Sequence, residues 1–307
     1  MTIASEITRI NNNIASAYTE CNSKGATMPA TQNSANLATC ISSITAGGGL
    51  GAVEGITREI VNGVYQMPSS SFTFSLPSTA TDLGSYALYY AFYHCTGLTS
   101  VDLSSLTTIS GSHAMDTTFI SCTGLTSVDL SSLTSIQGTY VMSNAFSECT
   151  GLTSVDLSNL TSIQGNNAMS YAFESCTNLT TVKFDNLETI GSSTTADYGQ
   201  LRGCFYDPDI SSMTFPKLKE IYCTISNANY GTFSDNCSIE KFYFPKLDTI
   251  SYAGGGSDVA SKNIFSGCDS LAELHFAAAN QAAIEASPGY STAWGRGAGN
   301  VTIYFDL

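Results

Sequence analysis

Asp102, Asp129 and Asp156 recur at a fixed interval of 27 residues (129 − 102 = 156 − 129 = 27), each inside the tripeptide Val-Asp-Leu. Carboxylates repeated in this way could gather a hard cation such as calcium, which takes several oxygen ligands, or meet a basic partner. A solvated face copied along with its repeat explains them equally well. The same repeat position is filled by Lys183, Thr214, Tyr243 and His275 in later repeats, and by Thr73 before the first. These residues, Asp102, Asp129, Asp156, Lys183, Tyr243 and His275, are the candidate ligand-binding set, with the three aspartates as the calcium candidate and no other metal site. Cys95, Cys122, Cys149 and Cys176 keep the same spacing of 27 (122 − 95), without any Cys-x-x-Cys pair that would suggest zinc. Stacked parallel strands would point these thiols the same way, which suits buried packing and not disulfides. The histidines, His94, His113 and His275, fall in different repeats, and nothing favours their assembly into a nucleophile-base pair. No catalytic residue and no cofactor is expected.

The elements that must position these residues are repeats. Phe92, Phe119, Phe146 and Phe173 each precede one of the four cysteines by three residues. The series continues through Cys204, with Leu201 in place of the Phe, through Phe233 with Cys237 after a one-residue insertion, and through Phe265 with Cys268, making seven repeats. After each regular cysteine the apolar pattern is Leu98, Val101, Leu103, Leu106, Ile109 and its equivalents. Val-x-Leu alternates with period two, which predicts a short strand whose middle residue faces outward. Phe72-Thr73-Phe74 reads as a degenerate opening strand and Val301 to Phe305 as a closing one. One such unit cannot bury its own apolar face, so stability requires stacking. Met115, Met142 and Met169 also recur at 27 and suit a gap-filling core column. Tyr86, Tyr89, Tyr90, Tyr93, Tyr140 and Tyr171 cluster in or near the connections between Ile and Phe, among Ser, Gly and Asn, a chemistry typical of adaptable binding loops.

Composition narrows the partners. Eleven Lys and Arg against 25 Asp and Glu give a formal charge of −14, and no base lies between Arg58 and Lys183. Such a surface repels phosphate backbones and anionic lipid, so nucleic acid is not an expected partner. No run of 18 apolar residues occurs, so membrane insertion is not expected either. The first twenty residues lack the basic start and apolar run of a secretory signal.

The repeat pattern, with Phe215-Pro216-Lys217-Leu218-Lys219-Glu220-Ile221 and Phe244-Pro245-Lys246-Leu247-Asp248-Thr249-Ile250 as its Pro-containing forms and Ala-Phe-x-x-Cys following, resembles the BspA-like, Treponema-type leucine-rich repeat. That resemblance implies an α/β-type leucine-rich-repeat solenoid, curved, with a parallel β-sheet on one face, in a family associated with bacterial surface adhesion. The ten-residue span from Ile109 to Phe119 is longer than the family's usual connection. Ile3, Ile7, Ile10, Ile14, Ala17 and Cys21 form a short heptad seam, and Ile at both core positions favours a trimer over a dimer. The N-terminal segment, with Gly25 to Pro29 and Asn36 to Thr39, resembles structural proteins of gut phages and prophages, as does the tail from Gly289 to Phe305. The expected organisation is a helical attachment or oligomerisation segment (1–46), a Gly-rich linker (47–70), the solenoid (71–278) and a C-terminal cap (279–307). The expected function is non-catalytic binding of a cell-surface protein or glycan by a phage or prophage tail-associated protein, located on a virion or extracellularly at a cell surface. A bacterial surface adhesin and a structural virion spacer are the alternatives.

Overall fold

Because Val-x-Leu turns its two apolar side chains to one side, each repeat offers a strand that is buried only when a neighbour lies on either edge. The computed structural model describes residues 59–61, 64–66, 71–194, 198–223, 231–236, 238–252, 264–287, 290 and 301–307. The N-terminal seam with its expected trimer, Cys237 and residues 291–300 lie outside them. Strands Phe72–Ser75, Leu98–Asp102 and Ser127–Asp129 pair in parallel, as do Ser154–Asp156 with Thr181–Lys183. Ser212–Thr214, Lys241–Phe244, Glu273–Phe276 and Thr302–Phe305 complete the series. The chain is a parallel β-solenoid of about seven turns. The opening and closing strands fall where the sequence places them.

The structure adds two ladders that the sequence reading lacks. Thr108–Ile109, Ser135–Ile136, Ser162–Ile163, Thr189–Ile190, Glu220–Cys223 and Thr249–Tyr252 form a six-stranded parallel sheet on a second face. The ten-residue connections form the third face, and they hold turns instead of helix. Ala87, Tyr89, Ala91, Tyr93 and Cys95 donate their amides three residues back within the coil, while Tyr86, Leu88, Tyr90, Phe92 and His94 donate to Ser112, Ala114, Asp116, Thr118 and Ile120 of the next coil. Alternate amides thus serve turn and stack, and the backbone is satisfied without a helix. The cost is a left-handed residue at every fourth position, Tyr86, Tyr90 and His94 in one coil and His113, Thr117 and Ser121 in the next. Each such residue costs about 1–2 kcal/mol. Poor helix formers such as Ser110, Gly111, Ser112, Thr117 and Thr118 make the alternative expensive as well. Helix among the described residues is confined to the 3-10 turn Ala278–Asn280 and to Gln281–Ala286.

Inside, like packs on like. Phe92, Phe119, Phe146, Phe173 and Phe205 stack at centroid separations of 5.1, 5.2, 5.6 and 6.2 Å. Met115, Met142 and Met169 are fully buried in a parallel column. Cys122, Cys149, Cys176 and Cys268 are buried free thiols, and each donates to a Phe carbonyl of the preceding coil at 3.0–3.1 Å. Burial raises the pKa of Cys149, and pushes that of Cys176 up to about 12.

Two repeat assignments need correction. Phe205, not Leu201, continues the Phe stack backward, although the Leu201 amide donates to the Thr232 carbonyl and so is in register with Phe233. Gly199, Gly203 and Asp207 are left-handed and register backward with Asn167, Tyr171 and Ser175, whereas forward Gly203 registers with Asp235, just before Asn236, so the phase shifts by one four-residue step between the fifth and sixth coils. In the sixth coil the cysteine's place is taken by Asn236, whose Nδ2 donates to the carbonyls of Leu201 (3.0 Å) and Phe233 (2.6 Å), with no insertion needed. Its Oδ1 also accepts the Phe205 amide at 2.8 Å.

Asn236→Ala leaves these buried backbone groups unpaired and is expected to cost about 1–3 kcal/mol in urea unfolding, more than Asn236→Cys, which restores the thiol seen in the other coils. A loss below about 0.5 kcal/mol refutes the stitching role. The thiols of Cys122, Cys149 and Cys176 should react with a disulfide reagent at about pH 8 only after denaturation.

Candidate functional site

Parallel register places every middle residue of the strand ladder side by side. Ser75, Asp102 and Asp129 are in line, then Asp156 with Lys183, then Thr214, Tyr243, His275 and Tyr304. Thr73 is not in this column. The register shifts between Phe72 and Thr73, so Thr73 opposes Ser100 and Ser75 takes the expected place.

The aspartates prove to be turn formers. The Ser104 amide and hydroxyl both donate to Asp102 Oδ1 at 3.0 and 2.6 Å, and those of Ser158 to Asp156 Oδ1 at 2.9 and 2.5 Å. Asp129 accepts the Ser131 amide at 2.9 Å. Each carboxylate thereby ends its strand by capping the amide two residues on. The serine hydroxyls, then the serine amides, hold the Asp102 and Asp156 carboxyls below the usual carboxylate range. Lys183 Nζ lies 4.0 Å from Asp156 Oδ2, an exposed pair of small energetic weight. Among the described residues no three His, Cys, Asp or Glu side chains converge on a metal position.

At the other end of the column the chemistry condenses. His275 is only 9% exposed, because its ring lies between Tyr243 at 4.6 Å and Tyr304 at 4.7 Å, both stacked nearly parallel to it. Carboxylates bracket the ring edge: Asp306 Oδ1 lies 2.9 Å from Nδ1, and Glu273 Oε2 lies 3.0 Å from Nε2. Lys241 Nζ pairs with the same Glu273 oxygen at 2.9 Å. Hydrogen bonds from His275 and then Lys241 hold the Glu273 carboxyl below its ordinary range, and Glu273 in turn raises Lys241. The result is a three-ring ladder with a charged rim. Such a group can stack on a flat or apolar ligand face and hydrogen-bond at its edge.

Of the predicted set, the structure brings Tyr243 and His275 together and leaves Asp102, Asp129, Asp156 and Lys183 as an extended acidic-to-basic run. Sequence reasoning missed Tyr304, Glu273, Lys241 and Asp306. Tyr304 was within reach by extending the column into the closing strand, and Glu273 and Lys241 by the period of two. Asp306 lies beyond the strand, where periodicity carries no signal.

The fold and surface define a repeat solenoid that presents a column of side chains over a constant core. The model of the BspA type leucine-rich repeat region matches residues 58–201 and 89–257, with 6 copies, and the chain belongs to that family. Similar solved structures include a leucine-rich repeat protein of T. pallidum (24% identity, TM-score 0.40, covering 66% of this chain and 78% of that one). Others are a leucine-rich repeat protein of Bacteroides ovatus (18%, TM-score 0.30, 73% and 70%) and a leucine-rich cell surface protein of Faecalibacterium prausnitzii (16%, TM-score 0.23, 68% and 82%). No curated protein matches the sequence.

The pH dependence has a definite sign. Glu273, Asp102 and Asp156 have depressed folded pKa values, so their stabilisation is present above the unfolded carboxylate value of about 4 and is lost as pH falls through the folded values. Lys241 is raised, so its share is present below about 10.4 and is lost as pH rises through its folded value. Glu273→Gln should therefore be less stable than the parent near neutrality, with the gap closing on acidification. A gap unchanged from about pH 7 to about pH 3 contradicts the ion-pair assignment.

Proposed function

We propose that this chain is a non-catalytic binding protein displayed at a bacterial surface, where it recognises a cell-surface protein or glycan through the outward strand column. The observation that carries this reading is the register. Outward residues of neighbouring coils stand side by side, so the surface changes from Asp102, Asp129 and Asp156 through Lys183 to Tyr243, His275 and Tyr304 while the apolar columns beneath persist. Solenoids use laterally extended surfaces of this kind for recognition. Family membership favours the surface-adhesin reading. The phage-tail reading drew on end segments that lie largely outside the described residues, and neither the family match nor the similar structures bears on it. Among the described residues no helix is long and apolar enough to cross a membrane.

The test is binding of the full chain to immobilised extracellular-matrix proteins and to a glycan array. Tyr243→Ala opens the aromatic ladder and should weaken binding roughly tenfold or more, as expected for an aromatic anchor. Asp129→Asn with Asp156→Asn should weaken it less and leave folding intact, because an amide oxygen still accepts the serine amide. Binding unaltered in both variants places recognition off the strand face.

A further inference from the structure

Among the described residues the first coil is closed on two faces and open on the third. On the strand face Phe72–Ser75 covers Leu98–Asp102, and on the second face the carbonyls of Thr81 and Leu83 accept the amides of Thr107 and Gly111. On the turn face no such preceding unit is present among the described residues. In the second coil the carbonyls of Ser112, Ala114, Asp116, Thr118 and Ile120 all accept amides from the first. Their first-coil equivalents, Ser85, Ala87, Tyr89, Ala91 and Tyr93, accept none among the described residues. Among the described residues, five acceptors spaced by two residues therefore form an edge without protein donors.

Aromatic rings crowd that edge. Tyr86, Tyr89, Tyr90 and Tyr93 are 58%, 43%, 45% and 41% exposed, whereas Asp116, Thr117 and Ser121 on the same face of the second coil are buried. Tyr86 is held in place from behind. Its ring stacks on His113 at 5.0 Å, His113 stacks on Tyr140 at 5.1 Å, and Asp116 Oδ2 lies 2.8 Å from His113 Nδ1. The opposite face of the Tyr86 ring carries no stacked ring among the described residues. Tyr89 stands edge-on to both Tyr86 and Tyr90, at 5.5 and 4.5 Å.

The ligand that fits must donate many hydrogen bonds, offer apolar C–H faces to aromatic rings, and carry no negative charge into a region that has neither Lys nor Arg between residues 58 and 183. A neutral oligosaccharide meets all three conditions, since its hydroxyls donate and its pyranose faces stack. Nucleic acid and sulfated or sialylated glycans fail on charge. Symmetric pairing with a second copy fails on chemistry, because it sets one acceptor row against another. We infer that the open turn edge of the first coil is a binding site for a neutral glycan chain, with Tyr86, Tyr89, Tyr90 and Tyr93 as the stacking platform and the carbonyls at 85, 87, 89, 91 and 93 as acceptors for its hydroxyls. This site lies on a different face from the strand column and does not depend on it.

Affinity electrophoresis of the full chain through gels containing a soluble glucan, mannan or galactan, with dextran sulfate as the charged control, tests the assignment. At least one neutral polysaccharide should retard the parent protein and dextran sulfate should not. Tyr86→Ala and Tyr90→Ala should each weaken retardation roughly tenfold, with cooperative thermal unfolding kept and lowered only slightly, because each ring is about half exposed. Tyr86→Phe should keep most of it, since the ring face remains, and Tyr86→Ala should cause the same loss in a Tyr243→Ala background, which separates this site from the strand face. No retardation by any of the three neutral polymers overturns the inference. So does parental retardation in both alanine variants, or equal retardation by dextran sulfate. A dimer in light scattering that Tyr86→Ala abolishes would assign the edge to a second copy and overturn it too.

Discussion

In-register parallel stacking is the constraint from which the rest of this molecule follows. Each coil hands half of its backbone hydrogen bonds to its neighbours, so a residue is set against its own equivalent one coil away. Every column must then tolerate self-contact. Phe on Phe and Met on Met satisfy this through ring stacking and dispersion. A buried thiol satisfies it by donating to the carbonyl of the coil behind, which leaves no reason to ionise or to pair with another thiol. The aspartates meet the same requirement differently. Stacked like charges would repel, but each carboxylate is bound locally by its own serine, and solvent screens what remains.

That requirement also explains which parts of the fold were legible in the sequence. Columns that repeat residue type at an interval of 27 are visible directly, and the Val-x-Leu strands, the Phe stack and the Met column follow from them. The second sheet was not visible because most of its strands are two residues long, as in Ser135–Ile136, too short for any alternation to register. The turn face was hidden for another reason. Its regularity is conformational, a left-handed residue every fourth position, and that position accepts Tyr, His, Thr, Asn, Glu and Ser alike. The pattern is carried by hydrogen bonds between coils and not by any preferred residue type.

The fifth and sixth coils show how such a stack absorbs irregularity. The fifth keeps the three left-handed residues of the coils before it and meets the sixth one four-residue step out of phase, so Phe205 stacks on Phe173 while the Leu201 amide pairs with Thr232, beside Phe233. Arg202 and Tyr171 then share Asp235, at 2.7 and 3.3 Å, bridging over the small Gly203. Gly203 is left-handed, and a Cβ there would come within 2.2 Å of the Tyr171 ring. Asn236 repairs the seam with an amide that spans two carbonyls where a thiol would reach one. A polar side chain in the core is tolerated because every group it meets is satisfied.

Regularity of this kind makes the interior uniform and so confines distinctive chemistry to two places, the outward columns and the ends. In the outward columns Asp102, Asp129 and Asp156 are exposed, and composition is free to drift from aspartate to lysine to tyrosine. At the ends a coil lacks a neighbour, and its hydrogen-bonding edge must be covered or left open. The C-terminal end is covered on the strand side, where Thr302–Phe305 pairs with Glu273–Phe276 and sets Tyr304 on His275. The first coil's turn edge carries aromatic residues without a covering unit among the described residues. Both aromatic groups thus sit where the repeat ceases to supply its own partner. The stack's need for an identical neighbour, which builds the core, is also what leaves groups available for another molecule.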